Sequence, residues 1–379
     1  MRIAIDIRSL EDSGHGGVSE YLNNLLPELF KKAPEHQFCL FTNSYRSEKD
    51  YSPLLKSPNV SVYKFNIPNK LLTFSCRYFK RPFIDELVGG ADVFFSPHFL
   101  PAPVSASCRK IITFHDISFE RFPEYFDSRR RIWHKYISPQ KQAASADKII
   151  AVSESTKSDL VNIYGVSPDN IDVIHSGICK SITTPTPLKW RDIKNKYDLP
   201  DNYILSLSTI EPRKNIVGLI RAFNLIKKEN MFDDLSLVIS GSKGWAYDDV
   251  FKEAQISPYK NQIIFTGSVE EEEKHILYSN ASVFAYPSLY EGFGFPPLEA
   301  MRTGTPVVAS MTTSLPEVTK GASVLINPFY PKDIAEGLRS VLKDERLREY
   351  LSGKGKEVAA LYEWEKAATE TLETLSKRS

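Results

Sequence analysis

Short apolar runs recur along this chain in two series and alternate with segments of helical apolar spacing. Nothing constrains the fold more tightly, because strands buried on both faces and separated by helices build a parallel sheet covered by helices. The first series comprises Arg2–Ile7, Phe38–Phe41, Val60–Phe65, Val93–Phe95, Lys110–Phe114, Lys148–Val152 and Ile171–Ile174. Helical spacing is read over Val18–Phe30, Arg129–Ala146 and Glu154–Tyr164. A strand, a loop with Gly14, Gly16 and Gly17, and a helix together open a doubly wound domain. From Ile178 to Asp201 the pattern breaks, with Pro185, Pro187 and Pro200. That stretch predicts a linker and a lead-in helix near Leu188–Tyr197. The second series is Tyr203–Ser208, Leu235–Ser240, Ile263–Thr266, Val283–Tyr286, Pro306–Ala309 and Val324–Ile326. Helices are expected at Ile216–Glu229, Glu270–Asn280, Pro297–Thr303, Pro331–Lys343 and Asp344–Leu351. The chain therefore reads as α/β, with tandem doubly wound domains over residues 1–180 and 181–360 and a terminal helix within 361–379.

With 379 residues, 42% of them apolar, the chain can bury two cores. A formal net charge of +1 argues against nucleic acid as a partner, so any basic site must be local. Cys39, Cys76, Cys108 and Cys179 lie far apart without metal-ligand spacing, and are expected to be reduced thiols. The opening MRIAIDIRSL lacks a basic region followed by a long apolar run, so no signal peptide is expected. No stretch reaches the apolar length that spans a bilayer. A cytoplasmic protein is expected, with attachment to the inner face of the plasma membrane left open.

The densest chemical signal is SLYEGFGFPPLEAMRTGTPVVAS, Ser288 to Ser310. Glu291 precedes Gly292, Phe293 and Gly294, Phe295 follows, and Pro296 and Pro297 open a helix with Glu299 in its first turn. Glycines before a helix start let backbone N–H groups approach an anion, and the helix dipole adds favourable charge. The two carboxylates would repel phosphate and suit hydroxyl groups instead. Taken alone, Glu299 serves equally well to stabilise a helix N-terminus. Arg213 and Lys214, in STIEPRKN after the first strand of the second series, supply the cations a diphosphate needs. Strand-end loops of parallel sheets are where ligands bind. His115, after the strand ending at Phe114, occupies a comparable place in the first domain and can donate to a hydroxyl or phosphate, or can simply be a capped loop histidine.

Gly16-Gly17, FHD at Phe114–Asp116, AVSESTKSDL at Ala151–Leu160, EPRKN at Glu211–Asn215, TGSV at Thr266–Val269 and EGFGFPPLEAMRTGTPVVAS run in one order over nearly the whole chain. In this arrangement the chain resembles glycosyltransferase family 4, retaining enzymes of the GT-B fold, and is most similar to bacterial mannosyltransferases of polysaccharide and O-antigen assembly. Ser208 stands where many members carry glycine. The resemblance implies two Rossmann-like domains facing a cleft, with the terminal helix crossing back onto the first. It implies that Arg213 and Lys214 hold the donor diphosphate, Glu291 contacts the transferred sugar and Glu299 binds ribose. Backbone at Phe293, Gly294 and Phe295 would lie near sugar or phosphate, Gly16 and Gly17 would approach the phosphates, and His115 would reach the sugar. Val269 and Gly241, Ser242 and Lys243 would line the base pocket.

No metal motif emerges, and Asp233-Asp234 and Asp248-Asp249 read as solvated pairs in polar loops, so no cofactor is expected. The acceptor belongs to the first domain. Asn69–Phe83 mixes bases with aromatics, and Arg129, Arg130 and Arg131 form a second basic cluster. Such a segment fits a helix lying on an anionic membrane as well as an ordinary helix covering the sheet, and a lipid-linked acceptor would use both features. The expectation is transfer of a hexose, mannose from GDP-mannose as the first choice, onto a glycan or lipid-linked oligosaccharide. The rivals are a UDP-glucose or UDP-galactose transferase, a nucleotide-sugar epimerase of the same fold, and a non-catalytic sugar-nucleotide-binding subunit.

Overall fold

The computed structural model describes residues 1–11, 17–45, 50–52, 54–179 and 187–377. They form two compact units, Met1–Arg121 with Ser128–Gly177 and Glu363–Ser379, and Ile178–Tyr362 with Phe122–Asp127.

The first unit is built on a parallel sheet of seven strands: β1 (Arg2–Asp6), β2 (Gln37–Asn43), β3 (Val60–Phe65), β4 (Val93–Ser96), β5 (Arg109–Phe114), β6 (Lys148–Ala151) and β7 (Ile171–Val173). Their order is β3-β2-β1-β4-β5-β6-β7, so the direction of winding reverses between β1 and β4. Each strand is short because it needs only to cross the core, and β4 and residues 110–114 of β5 are buried throughout. The helix Gly17–Lys32 turns Tyr21, Leu22, Leu25, Leu26, Leu29 and Phe30 inward. The helix Trp364–Ser376 belongs to this unit and packs there, with the Trp364 ring edge-on to Tyr21 at 5.8 Å.

The second unit carries six parallel strands: β8 (Tyr203–Leu207), β9 (Ser236–Ser240), β10 (Ile263–Gly267), β11 (Val283–Tyr286), β12 (Val307–Ser310) and β13 (Val324–Ile326). The order β10-β9-β8-β11-β12-β13 puts its reversal between β8 and β11. In such sheets ligands bind beyond the carboxyl ends of the strands at that reversal. The loops that matter are thus fixed by topology: those after β1 and β4 in one unit, and those after β8 and β11 in the other.

Several expected elements change in extent. Arg129–Ala146 is two helices, Ser128–Ile137 and Pro139–Ala144, split at Ser138 in the left-handed region with φ 49°. Pro139 causes the break, since proline starts a helix but cannot continue one and pushes its predecessor out of helical geometry. Asp248 and Asp249 are not loop residues; they occupy the first turn of the helix Asp248–Ile256, where carboxylates complement the helix dipole. The segment expected to end at Leu351 continues as Glu345–Ala359. Cys39, Cys76 and Cys108 are buried free thiols and Cys179 is an exposed one.

Candidate active site

In the second unit the loop after β8 forms a single 3-10 turn, Pro212–Lys214, which aims two cations at the loop after β11. Arg213 is held on both sides. Its Nε donates to Glu211 Oε1 at 3.0 Å, and its Nη1 donates to the Tyr290 carbonyl at 2.9 Å and to Glu291 Oε2 at 3.0 Å. Lys214 Nζ donates to the Tyr286 hydroxyl at 2.8 Å and to Glu291 Oε1 at 2.5 Å. Ser288 Oγ donates to the same Glu291 oxygen at 2.5 Å. Glu291 and Lys214 are 6% and 8% exposed, so these are desolvated, charge-assisted bonds. Burial alone would raise the Glu291 carboxyl, but Arg213 and Lys214 outweigh it and hold the group at about 2. The main chain of Glu291 is pinned as well, with its N–H donating to Thr313 Oγ1 at 3.0 Å and its carbonyl accepting from Ser314 Oγ at 3.0 Å.

Two carboxylates, Glu211 and Glu291, thus balance the two cations. The cations are therefore already engaged by carboxylates in this arrangement. Glu211 was not anticipated as a site residue, although it heads the EPRKN motif; its 3% exposure and its grip on Arg213 mark it as a positioning residue.

The helix after the glycine loop begins at Phe295 and runs to Thr303, two residues earlier than expected. Gly294 caps it at φ 109°, a conformation that strains any residue with a side chain. The shift has two consequences. Pro296 and Pro297 are the second and third helical residues, so two of the first N–H groups of the helix are missing. Glu299 moves out of the first turn; its Oε2 accepts from the Tyr278 hydroxyl at 2.9 Å, and burial raises its pKa. Phe293 is buried, its carbonyl accepts from Ser314 Oγ at 2.7 Å, and its ring lies edge-on to Phe295 at 5.2 Å.

After β9, Gly241 at φ 140° lies against β8; a Cβ there would sit 1.9 Å from the Ser208 carbonyl oxygen. That contact requires glycine at position 241. Ser242 and Lys243 are exposed, and the Lys243 ammonium lies over the Tyr247 and Phe251 rings at 5.2 and 4.9 Å. Val269 follows β10 and is half-buried.

In the first unit His115 follows β5. Its Nε2 meets the Pro97 carbonyl at 2.9 Å, and its ring stands edge-on to Tyr21 at 4.9 Å. A carbonyl can only accept, so Nε2 carries the proton and Nδ1 the lone pair. Burial pushes the ring down to about 4, which keeps it neutral near pH 7, and with Nε2 donating to Pro97 leaves Nδ1 as an acceptor. Asp116 Oδ1 accepts from Ser118 N at 3.0 Å and Ser118 Oγ at 2.7 Å, a local cap. The Pro97 carbonyl is itself anchored. At the reversal point of this sheet, buried Asp6 is gripped by Arg8 (Nη2–Oδ2 2.6 Å) and faces His98 Nε2 at 3.6 Å, while Ser96 Oγ donates to the His98 carbonyl at 2.6 Å. Burial works against the Asp6 charge, but Arg8 and His98 hold its carboxyl well below the usual range. Asp6, Arg8 and His98 were missed in the sequence, where only a charge closing the first strand hinted at them. Gly17 is the exposed first residue of its helix, and Gly16 lies outside the described residues.

A pH expectation follows from His115. Its folded pKa lies below the ordinary 6.5, so its share of stability is complete above about pH 6.5 and is lost as pH falls towards about 4. Imidazole ¹⁵N spectra should show a neutral ring protonated at Nε2 from pH 6 to 8 (on the order of neutrality, where histidine ordinarily titrates). A ring that titrates near 6.5 would contradict this assignment.

Comparison with known proteins accords with this geometry. Residues 15–180 match the family profile described as Glycosyltransferase Family 4, and residues 189–358 match that of Glycosyl transferases group 1. Sucrose-phosphate synthase from Thermosynechococcus elongatus superposes with a TM-score of 0.75 at 20% identity, over 99% of this chain and 98% of that one. The protein is a glycosyltransferase of the GT-B class. It belongs to glycosyltransferase family 4. O-antigen chain mannosyltransferase B of Escherichia coli is 34% identical over 77% of this chain and 74% of its own length. The serotype-specific mannosyltransferase WbdA of Escherichia coli is 31% identical over 64% of this chain, which spans 30% of that longer protein.

Proposed function

We propose that the chain transfers mannose from GDP-mannose, with retention, onto a glycan or lipid-linked oligosaccharide. The observation that carries this reading is the buried Glu291 held ionised by Arg213 and Lys214 on strand-end loops, beside a glycine-capped helix. Cations placed there stabilise the charge that grows on a departing diphosphate, and the fixed Glu291 charge favours a sugar whose anomeric carbon turns positive. The departing phosphate oxygen takes the acceptor's hydroxyl proton while the new C–O bond forms on the same face of the sugar. The names of the two Escherichia coli relatives support mannose. Donor turnover with GDP-mannose, UDP-glucose and UDP-galactose tests the reading. GDP-mannose should be used, and its use should persist in excess chelator because Arg213 and Lys214 do the work of a metal. Preference for a UDP-sugar reassigns the donor, binding without turnover leaves a sugar-nucleotide-binding subunit, and loss in chelator restored by manganese refutes metal independence.

The acceptor side of this reading includes contact with an anionic membrane. Among the described residues no helix is long and apolar enough to cross one. The helix Asn69–Tyr78 instead leaves Leu71, Phe74 and Tyr78 exposed, with Phe79 just beyond at 68%, and Ser128–Ile137 leaves Ile132 and Trp133 exposed. The two helices are joined through Arg77, whose guanidinium lies 5.3 Å from both the Tyr78 and Tyr136 rings and whose Nη1 donates to Ser138 Oγ at 2.7 Å. Exposed Lys70, Lys80, Arg129 and Arg131 flank these apolar side chains, the composition of an interfacial surface. The protein should sediment with phosphatidylglycerol vesicles at low salt and not with phosphatidylcholine ones. Lys70→Glu with Lys80→Glu should abolish the difference; equal behaviour towards both lipids would remove the membrane from the account.

A further inference from the structure

We propose that Phe122–Asp127 is a positioning strap of the donor site, an inference that rests on the donor-site reading above. The chain leaves the first unit at Arg121, contributes Phe122–Asp127 to the second, and returns at Ser128. The excursion is held by rings. Phe122 stacks on Tyr125 at 5.4 Å and meets Tyr290 edge-on at 5.8 Å. Phe126 stacks on Trp245 at 5.6 Å, and Trp245 Nε1 donates to the Tyr125 carbonyl at 2.5 Å.

Both partners lie beside the donor machinery. Tyr290 is fully buried, its carbonyl accepts from Arg213 Nη1, and Glu291 is the next residue. Trp245 follows Gly244, where a Cβ would lie 2.9 Å from the Ile210 carbonyl oxygen and 3.4 Å from Glu211 Cβ. That loop is therefore packed onto the segment leading into Glu211 and Arg213. Ala246, next in line, has φ 48°, a left-handed conformation that non-glycine residues hold only when their surroundings enforce it. Since β8 lies between β9 and β11, one short segment clamps the loops on either side of the cation-bearing loop. No sequence motif signals this, because Phe122–Asp127 lies in the first half of the chain and far from the residues it supports.

Calorimetry of the full chain with GDP and UDP, together with Trp245 fluorescence, tests the strap. Phe122→Ala and Phe126→Ala should weaken the preferred nucleotide about three- to tenfold, the scale of one aromatic pair. Phe122→Tyr and Phe126→Tyr should restore it. In Phe126→Ala the emission assigned to Trp245, by difference from Trp245→Phe, should shift to the red. Should an alanine variant fail to fold, Trp245→Phe, which keeps a ring but loses the bond to Tyr125, should still weaken binding. Wild-type affinity in folded Phe122→Ala and Phe126→Ala, with Arg213→Ala impaired, would overturn the strap and spare the donor site. A wild-type protein that binds neither nucleotide would overturn the donor reading, and the strap with it.

Discussion

Lys214→Ala is expected to lower turnover by about 10²–10³-fold, the usual effect of removing one preorganised donor from a developing charge. The same change should destabilise the second unit by roughly 3–5 kcal/mol, because it breaks a buried ion pair and leaves a carboxylate short of a partner. The two effects come from one atom: Lys214 Nζ bridges Tyr286 and Glu291, and both charged side chains are largely buried. They can be separated. Lys214→Met combined with Glu291→Gln removes both charges, so the melting temperature should recover while turnover does not. Lys214→Arg should fail to rescue, since a planar fork cannot replace a compact ammonium between those two oxygens. Near-normal turnover in Lys214→Ala would move the diphosphate site elsewhere.

Glu291→Gln should lower turnover by a similar ~10²–10³-fold yet bind the bare nucleoside diphosphate more tightly. The reasoning is competition. In the wild type Glu291 occupies donors of both Arg213 and Lys214, the donors proposed above to hold the diphosphate. Removing its charge frees them for phosphate while depriving the sugar of its fixed negative partner. Glu299→Ala should do the opposite, weakening the bare nucleotide with a smaller effect on the chemical step, in keeping with a ribose contact. Calorimetry with the nucleotide alone, set beside turnover, distinguishes the two glutamates. Parallel losses in both variants would refute the separate roles.

The strands were legible in the sequence because buried strands of a parallel sheet are nearly continuous apolar runs, and each expected run has its strand. Helix ends were less so. Pro297 reads as a first helical residue, but Gly294 reaches φ 109° and lets the helix start at Phe295, two residues earlier, which moved Glu299 out of the first turn. Arg213, Lys214 and Glu291 stood out by residue type and place. Their mutual neutralisation did not, because an ion pair between residues so far apart in sequence depends on which strands adjoin. Glu211 and the strap were hidden for the same reason. The proton on His115 Nε2 is set by the Pro97 carbonyl, which no local pattern reveals.

The measurement that bears most directly on the account is the anomeric configuration of the product, read by NMR after transfer from GDP-α-mannose. Ser288 Oγ, a hydroxyl bonded to Glu291, shares that carboxylate with Lys214 and Arg213, so the reading gives Glu291 a charge-balancing role and not that of a general base. The account predicts an α-mannoside, formed by wild type and lost in Lys214→Ala. A β-mannoside would contradict the same-face displacement and the roles given to Glu291, Arg213 and Lys214.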